Sequence, residues 1–252
     1  MTNKEIEKLE NRYLNKFYHF LKYAEDEMMF GFQTKEDIKN DWIGKYGTNI
    51  SDFSVGAERI IYALFNGKGV GQPNSCPVGA DMFFEVKDAY IHIDLKTVQT
   101  RNIGDITKNI FVGGNQNSYK AEIKKGNGSS FSPPRIYTPA LPTFYNKGKV
   151  NEKICLTFFI TIVYEDINLN ILNINLLCMP NGELESHYGS KVLDPGKNPD
   201  KARFSFTDTP TFELLDVPKS RVKVVYFDKT MSASLKTSLS FYEKVFDEQG
   251  DI

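Results

Sequence analysis

The segment Gly79 to Thr100, GADMFFEVKDAYIHIDLKTVQT, constrains the fold most, because two runs of strand period meet there at a turn. Side chains alternate faces along a strand. In the second run Ile91, Ile93 and Leu95 therefore point one way, and Tyr90, His92, Asp94 and Lys96 the other. In the first run Met82, Phe84 and Val86 share one side, and Asp81, Phe83, Glu85 and Lys87 the opposite one. A two-residue loop at Asp88-Ala89 sets Lys87 against Tyr90, Glu85 against His92, Phe83 against Asp94 and Asp81 against Lys96. Such a hairpin gathers Asp81, Asp94 and Lys96 on one face.

Around this hairpin the chain reads as helix, hairpin and buried strand. Ile6, Leu9, Tyr13, Leu14, Phe17, Phe20, Leu21 and Tyr23 recur at helical spacing between Lys4 and about Met29. A second helix is expected over Lys35 to Lys45, with Thr34 as cap and Trp42 as apolar anchor. A third runs from Ser54 to Phe65, buries Ala57, Ile61, Leu64 and Phe65, and stops at Asn66-Gly67. The glycine-rich loop after it, GKGVGQPNSC, lacks the GxxxxGK[ST] order of a phosphate-binding loop. Residues 115–125 read as a short helix, and about 126–149, with four prolines, as a long loop. Ile154 to Tyr164 is a nearly unbroken apolar run, as a strand buried on both faces requires. Asn170 to Met179 is its expected neighbour, Arg221 to Phe227 a late strand, and Lys236 to Phe246 a terminal helix.

The chain of 252 residues is long enough for one large core and carries a formal charge of −1, so a basic surface must be local rather than global. Arg101 to Lys149 supplies one, with eight lysines and arginines against Asp105 and Glu122. Cys76, Cys155 and Cys178 are odd in number and far apart, so no disulfide framework or paired-cysteine zinc site is expected. No signal-like N-terminus or membrane-length apolar run is seen, and a cytoplasmic location is expected, with no membrane partner.

A D/E-x-K triplet is weak evidence alone, since composition yields on the order of three in such a chain, and four occur. Asp37-Ile38-Lys39 and Glu122-Ile123-Lys124 fall in expected helices, where residues two apart diverge. Glu85-Val86-Lys87 is on a strand but lacks a second acid at a suitable distance upstream on another element. Asp94-Leu95-Lys96 has the strand period that aligns its ends and Asp81 on the preceding strand. Two carboxylates are hard ligands that hold Mg²⁺ while leaving room for water and a phosphate oxygen. A lysine on the same face can orient or deprotonate that water and offset the charge of a pentacovalent phosphorus.

These residues resemble the PD-(D/E)xK nuclease superfamily, which includes type II restriction endonucleases, over chiefly residues 78 to 100. Ala80 stands where the family pattern has proline, and Gln116-Asn117-Ser118-Tyr119 is one residue shorter than the Gln-x-x-x-Tyr of exonuclease-like branches. The resemblance implies an α/β fold, a central mixed β-sheet flanked by helices, with an N-terminal helical region. It implies Mg²⁺-dependent cleavage of DNA, with Mn²⁺ as a substitute, and Asp81, Asp94 and Lys96 as the catalytic set. Glu58, on the helix before the hairpin, is the candidate further metal ligand; a solvated helix-start acid is the other reading.

One nuclease domain over 1–252 is expected, with a helical region at 1–66, a catalytic core at 67–180 and a C-terminal elaboration at 181–252. Amides pair bidentately with adenine and arginine or lysine with guanine, which nominates Asn115, Gln116, Asn117 and Arg135 as base readers, with Gln99 and Arg101 as further DNA-binding candidates. Lys120, Lys124 and Lys125 suit phosphates. The stretch 187–203 is a second basic DNA-facing candidate. The leading expectation is a sequence-specific double-stranded DNA endonuclease of restriction type, acting as a homodimer on a palindromic site. A structure-specific or repair nuclease is an alternative, as is a non-catalytic nucleic-acid-binding or interaction domain.

Overall fold

A computed structural model describes residues 1–33, 41, 53–67, 72–73, 80–199 and 201–250. The helix begins where Thr2 supplies a cap: its hydroxyl accepts from the Glu5 N–H while the Glu5 carboxylate accepts from the Thr2 N–H, a reciprocal capping box. From there α1 (Asn3–Tyr23) buries Ile6, Tyr13, Leu14, Phe17, Tyr18 and Leu21. Residues 25–33 form α2, and α3 (Phe53–Gly67) buries Ala57, Ile61 and Phe65, as its spacing requires. The expected Lys35–Lys45 helix, Trp42 and most of the glycine-rich loop with Cys76 lie outside the described residues.

Among the described residues seven strands make the central sheet. They are β1 (Gln72–Pro73), β2 (Met82–Glu85), β3 (Ala89–Gln99), β7 (Phe144–Tyr145), β8 (Lys153–Tyr164), β9 (Ile171–Met179) and β14 (Val222–Phe227), in the order β1-β2-β3-β8-β9-β14 with β7 alongside the start of β8. β3 and β8 run parallel and the remaining pairs antiparallel, so the sheet is mixed. β8 and β9 are buried almost throughout, β8 matching its apolar run and β9 burying Asn173 and Asn175 as well. Three of the polar side chains inside form a chain: Thr161 Oγ1 donates to Asn175 Oδ1 at 2.6 Å, and Asn175 Nδ2 to Asn173 Oδ1 at 2.6 Å.

One face of the sheet carries Phe84, Ile91, Ile93 and Phe158 and meets the helices. Phe17 of α1 packs edge-on against Phe158 and against Phe65 of α3, with ring centres 5.1 and 5.5 Å apart. Outside the central sheet are small ones: β4 (Ile110–Val112) with β10 (Leu193–Pro195) and β11 (Ala202–Phe204), and the hairpin of β5 (Ala121–Lys124) with β6 (Ser130–Tyr137); β4 meets the opposite face, where the Phe111 ring lies 5.8 Å from Lys96 Nζ. β12 (Thr211–Phe212) pairs β13 (Lys219–Ser220). The one-turn helix α4 (Glu185–Tyr188), then α5 (Ala233–Ser238) and α6 (Ser240–Glu248), complete the chain, with α6 packed on β14.

Two local expectations are corrected. Residues 115–125 are not a helix but a single 3₁₀ turn, Gly114–Gln116, followed by strand β5, whose Ala121 and Ile123 are buried while Glu122 and Lys124 turn outward. The proline-rich stretch is not one loop, because Ser130–Tyr137 pairs with β5 as an exposed edge strand, where proline's missing N–H costs nothing.

Candidate active site

The hairpin turns one position earlier than its sequence suggests. The Val86 N–H donates to Ala89 O at 3.0 Å, and Met82 faces Ile93, Phe83 faces His92, Phe84 faces Ile91 and Glu85 faces Tyr90. Lys87-Asp88 is therefore the loop. Ala89 is fully buried in the first position of β3, and Asp88 is drawn out of the hairpin by Arg12 and the Tyr13 hydroxyl of α1. The register moves by two residues, an even step, so every side chain keeps its face. Asp81, one step beyond the last paired residue of β2, lies across from Asp94 rather than Lys96.

Asp81 closes the end of β2 with its side chain: its Oδ2 accepts from the Leu95 N–H at 2.6 Å. Its Oδ1 has no partner among the described residues. Asp94 is 3% exposed. Its Oδ1 accepts from Gln116 Nε2 at 2.6 Å, and Lys96 Nζ pairs with its Oδ2 as an ion contact without the alignment of a directional hydrogen bond. Gln116 ties the group together, since its Oε1 also accepts from Lys96 Nζ at 3.2 Å and from the Gly113 N–H at 2.8 Å. Burial pushes the Asp94 carboxyl up to about 6; Lys96 opposes the rise, and the charges of Asp81 and, more weakly, Glu58 add to it. Lys96, Asp81 and Glu58 thus all act on Asp94 through their charge.

On the same face His92 is sandwiched between Phe83, 4.5 Å between ring centres at 20°, and Tyr145, 5.9 Å at 16°. Its Nε2 shares a hydrogen bond of 2.9 Å with the Tyr145 hydroxyl, while Nδ1 is buried without a partner. Burial holds its pKa down to about 4, so the ring is neutral. Thr157, opposite His92 in β8, likewise has a buried hydroxyl with no partner. Of four such buried orphan atoms among the described residues, three (His92 Nδ1, Asp94 Oδ2 and Thr157 Oγ1) lie on this face.

The donor set suits a hard divalent cation. Asp81 and Asp94 offer carboxylate oxygens from facing positions, and one of those oxygens is buried with only a cationic neighbour. Among the described residues no three acidic, histidine or cysteine side chains already converge as a closed cage. The arrangement is an open one, suited to water and a phosphate completing the shell.

The expected DNA contacts divide. Asn117 is buried: its Nδ2 donates to Gly113 O at 3.1 Å and to the Tyr137 hydroxyl at 2.7 Å, and its Oδ1 accepts from the Tyr119 N–H at 3.0 Å, so it braces a turn and has no free edge for a base. Gln116 is committed to Asp94 and Lys96, a role no local sequence signal announces across 20 residues. Lys124 Nζ binds Glu122 at 2.5 Å and Ser130 at 2.8 Å. The Arg135 guanidinium lies 3.8 Å over the Phe131 ring. Asn115, Lys120 and Arg101 are exposed, Arg101 being 3.8 Å from Asp166, and Gln99 is half-buried at the end of β3.

Comparison with known proteins bears on this geometry. Residues 2–168 match the family model described as the N-terminal domain of the type II restriction enzyme MwoI, and 171–227 match the model of its central domain. The fold is similar to the restriction endonuclease BglI bound to its DNA recognition sequence, at 15% identity and a TM-score of 0.67, covering 90% of this chain and 93% of that one. It is also similar to the tetrameric restriction endonuclease SfiI bound to cognate DNA, at 14% identity and a TM-score of 0.64, covering 92% and 88%. No curated protein sequence matches.

Proposed function

The chain belongs to the MwoI family of type II restriction enzymes and is a site-specific deoxyribonuclease; on that premise we propose that it hydrolyses both strands of a double-stranded DNA site with Mg²⁺ held by Asp81 and Asp94. The observation that carries this reading is the facing pair of carboxylates beside Lys96, with Asp94 Oδ2 buried against nothing but an ammonium. Mn²⁺, with similar preference for oxygen ligands, substitutes for Mg²⁺. Glu58 stands near enough to act on Asp94 by its charge and is the candidate for a further ligand, directly or through water.

The bound ion supplies Lewis acidity toward a phosphodiester oxygen and acidifies water. The protein does the rest. Asp81 and Asp94 would hold the cation; Lys96, now paired with Asp94, would then be available to orient the attacking water and to offset the charge that gathers on phosphorus. Gln116 fixes both partners: its amide N–H holds Asp94 Oδ1, and its carbonyl holds Lys96 Nζ. The neutral, aromatic-walled His92 excludes solvent behind Asp94 rather than serving as a base.

Asn115, Lys120, Arg101, Gln99 and Arg135 remain proposed DNA contacts. The active species is proposed to be a cytoplasmic homodimer, each protomer cutting one strand, with the whole of 1–252 acting as one nuclease unit. Among the described residues no helix is long and apolar enough to cross a membrane. The structure-specific and non-catalytic readings have no observation in their favour. The test is plasmid DNA with Mg²⁺: discrete fragments are expected from the wild type and none from Asp94→Ala or Lys96→Ala. Discrete fragments from folded Asp94→Ala would overturn the site assignment.

A further inference from the structure

Beside Lys96 a cleft of about 330 Å³ opens between the end of β3 and the small β10-β11-β4 sheet, with Lys96, Thr97, Asp105, Phe111 and Arg203 among its walls. Phe111 is its unusual feature. Its strand neighbours Ile110 and Val112 are buried, yet Phe111 is 39% exposed at the mouth. A single exposed aromatic is ordinary on a protein surface. This one is flanked by two cations, Lys96 Nζ at 5.8 Å and Lys201 Nζ at 5.9 Å from the ring centre.

The position of the ring is fixed from behind. Phe111 faces Arg203 across the β4–β11 pair, and the Arg203 guanidinium is bound by the Asn109 side chain and by the carbonyls of Asp105 and Asn109. Arg203 is thus a positioning residue that locks β4 in place, and Asp105 is the acid among the cleft walls. The result is an apolar plate with two ammonium groups near it, adjoining the candidate active site through Lys96.

We propose that Phe111 and Lys201 seat the sugar-phosphate backbone of the cut strand next to the scissile phosphate, an inference that rests on Asp81, Asp94 and Lys96 marking where that phosphate lies. Each DNA strand presents one phosphate per about 3.4 Å of axis. Two ammonium groups sharing one ring can therefore serve the scissile phosphate and a phosphate one or two nucleotides away. The exposed ring packs on the deoxyribose between them, and Lys201 takes the neighbouring phosphate. Such contacts carry no base information and set the register of the strand over Asp94.

The experiment uses the full chain and a duplex containing the site mapped from plasmid fragments. Binding without divalent metal is followed by fluorescence anisotropy across a salt series. Lys201→Ala is expected to lower the slope of log affinity against log salt by about 0.9, whereas Lys229→Ala, at a remote surface, leaves it unchanged. Phe111→Ala is expected to weaken binding about 5-fold, with Phe111→Leu in between. Neutralising single phosphates as methylphosphonates within two nucleotides of the cut is expected to find one position that weakens wild type but costs Lys201→Ala nothing further. Asp94→Ala, measured alongside for cleavage, separates the two readings: if it cuts, the site assignment itself has failed. If it is inactive while Lys201→Ala keeps the wild-type salt slope, and its loss adds in full to every methylphosphonate loss, the proposed seat alone is overturned.

Discussion

Two buried charge clusters sit on opposite faces of the same sheet, and they are finished differently. Under α1, the fully buried Arg221 donates from Nη1 to Glu10 at 2.7 Å and from Nη2 to Glu7 at 3.0 Å. The other carboxylate oxygens accept from the Asn181 N–H at 2.7 Å and the Leu214 N–H at 2.7 Å, and the Tyr188 hydroxyl donates to Glu7. Burial pushes the Glu10 carboxyl up and Arg221 pulls it back. Every acceptor there has a donor. At Asp94 one oxygen is held by Gln116 and the other only by an ion contact, at the rim of a cleft. A closed cluster fixes α1 to the sheet, while an open one keeps a binding capacity unspent.

The contrast is broken most severely at Asp94. Asp94→Ala and Lys96→Ala are expected to lose cleavage by a factor of about 10³ or more, as removal of groups acting directly on the transition state does, while circular dichroism and thermal unfolding show a folded chain. Unfolding of either variant at room temperature would place Asp94 with the structural cluster instead. Arg221→Met should do the reverse, costing about 3–5 kcal/mol in denaturant unfolding because two buried carboxylates lose their cation, with cleavage per folded molecule retained. Replacing Glu7, Glu10 and Arg221 together by apolar residues should restore most of that stability.

The pH dependence of stability sharpens the comparison. Asp94, raised to about 6, is a carboxyl whose folded pKa exceeds its unfolded value, so it subtracts stability as pH climbs from about 4 to about 6. His92, lowered to about 4, prefers the neutral form in the fold, so it adds stability over about 4 to 6.5. Each effect is on the order of 3 kcal/mol, and they oppose. Metal-free Asp94→Asn should therefore gain stability relative to wild type as pH rises across that window, and His92→Gln should lose it, in denaturant titrations at pH 4, 5 and 6.5. Parallel curves for all three would show that neither group is perturbed as described.

The smallest expected effect is at Gln116. Gln116→Ala should lower kcat by about 10- to 100-fold, the range for groups that orient a ligating side chain, with DNA affinity in the absence of metal little changed. A loss confined to affinity would return Gln116 to the role of base reader.

The faces of the hairpin were legible because strand alternation is local: Ile91, Ile93 and Leu95 against His92, Asp94 and Lys96 depends on nothing outside β3. The register was not, because the turn was displaced by Ala89 entering the core and by Arg12 and Tyr13, 75 or 76 residues away, taking hold of Asp88. The buried β8 announced itself through a nearly unbroken apolar run, whereas β9, interrupted by Asn173 and Asn175, was legible only as its expected neighbour. β5 was misread although Ala121 and Ile123 alternate with Glu122 and Lys124, because four residues are too few to separate a strand period from a helical one. The pairing of Glu7, Glu10 and Arg221 leaves no local trace in the sequence, for the same reason that Gln116 reads as a base reader. Their partners are set by tertiary packing, which no spacing in the chain reveals.

The most direct test of the account is anomalous scattering from Mn²⁺ in crystals of the protein with its mapped DNA site. A peak within metal–oxygen bonding distance of both the Asp81 and Asp94 carboxylates, with Lys96 turned from Asp94 toward the phosphate, is the predicted result. An ordered Mn²⁺ elsewhere, with the Asp94–Lys96–Gln116 group unchanged beside bound DNA, would contradict it.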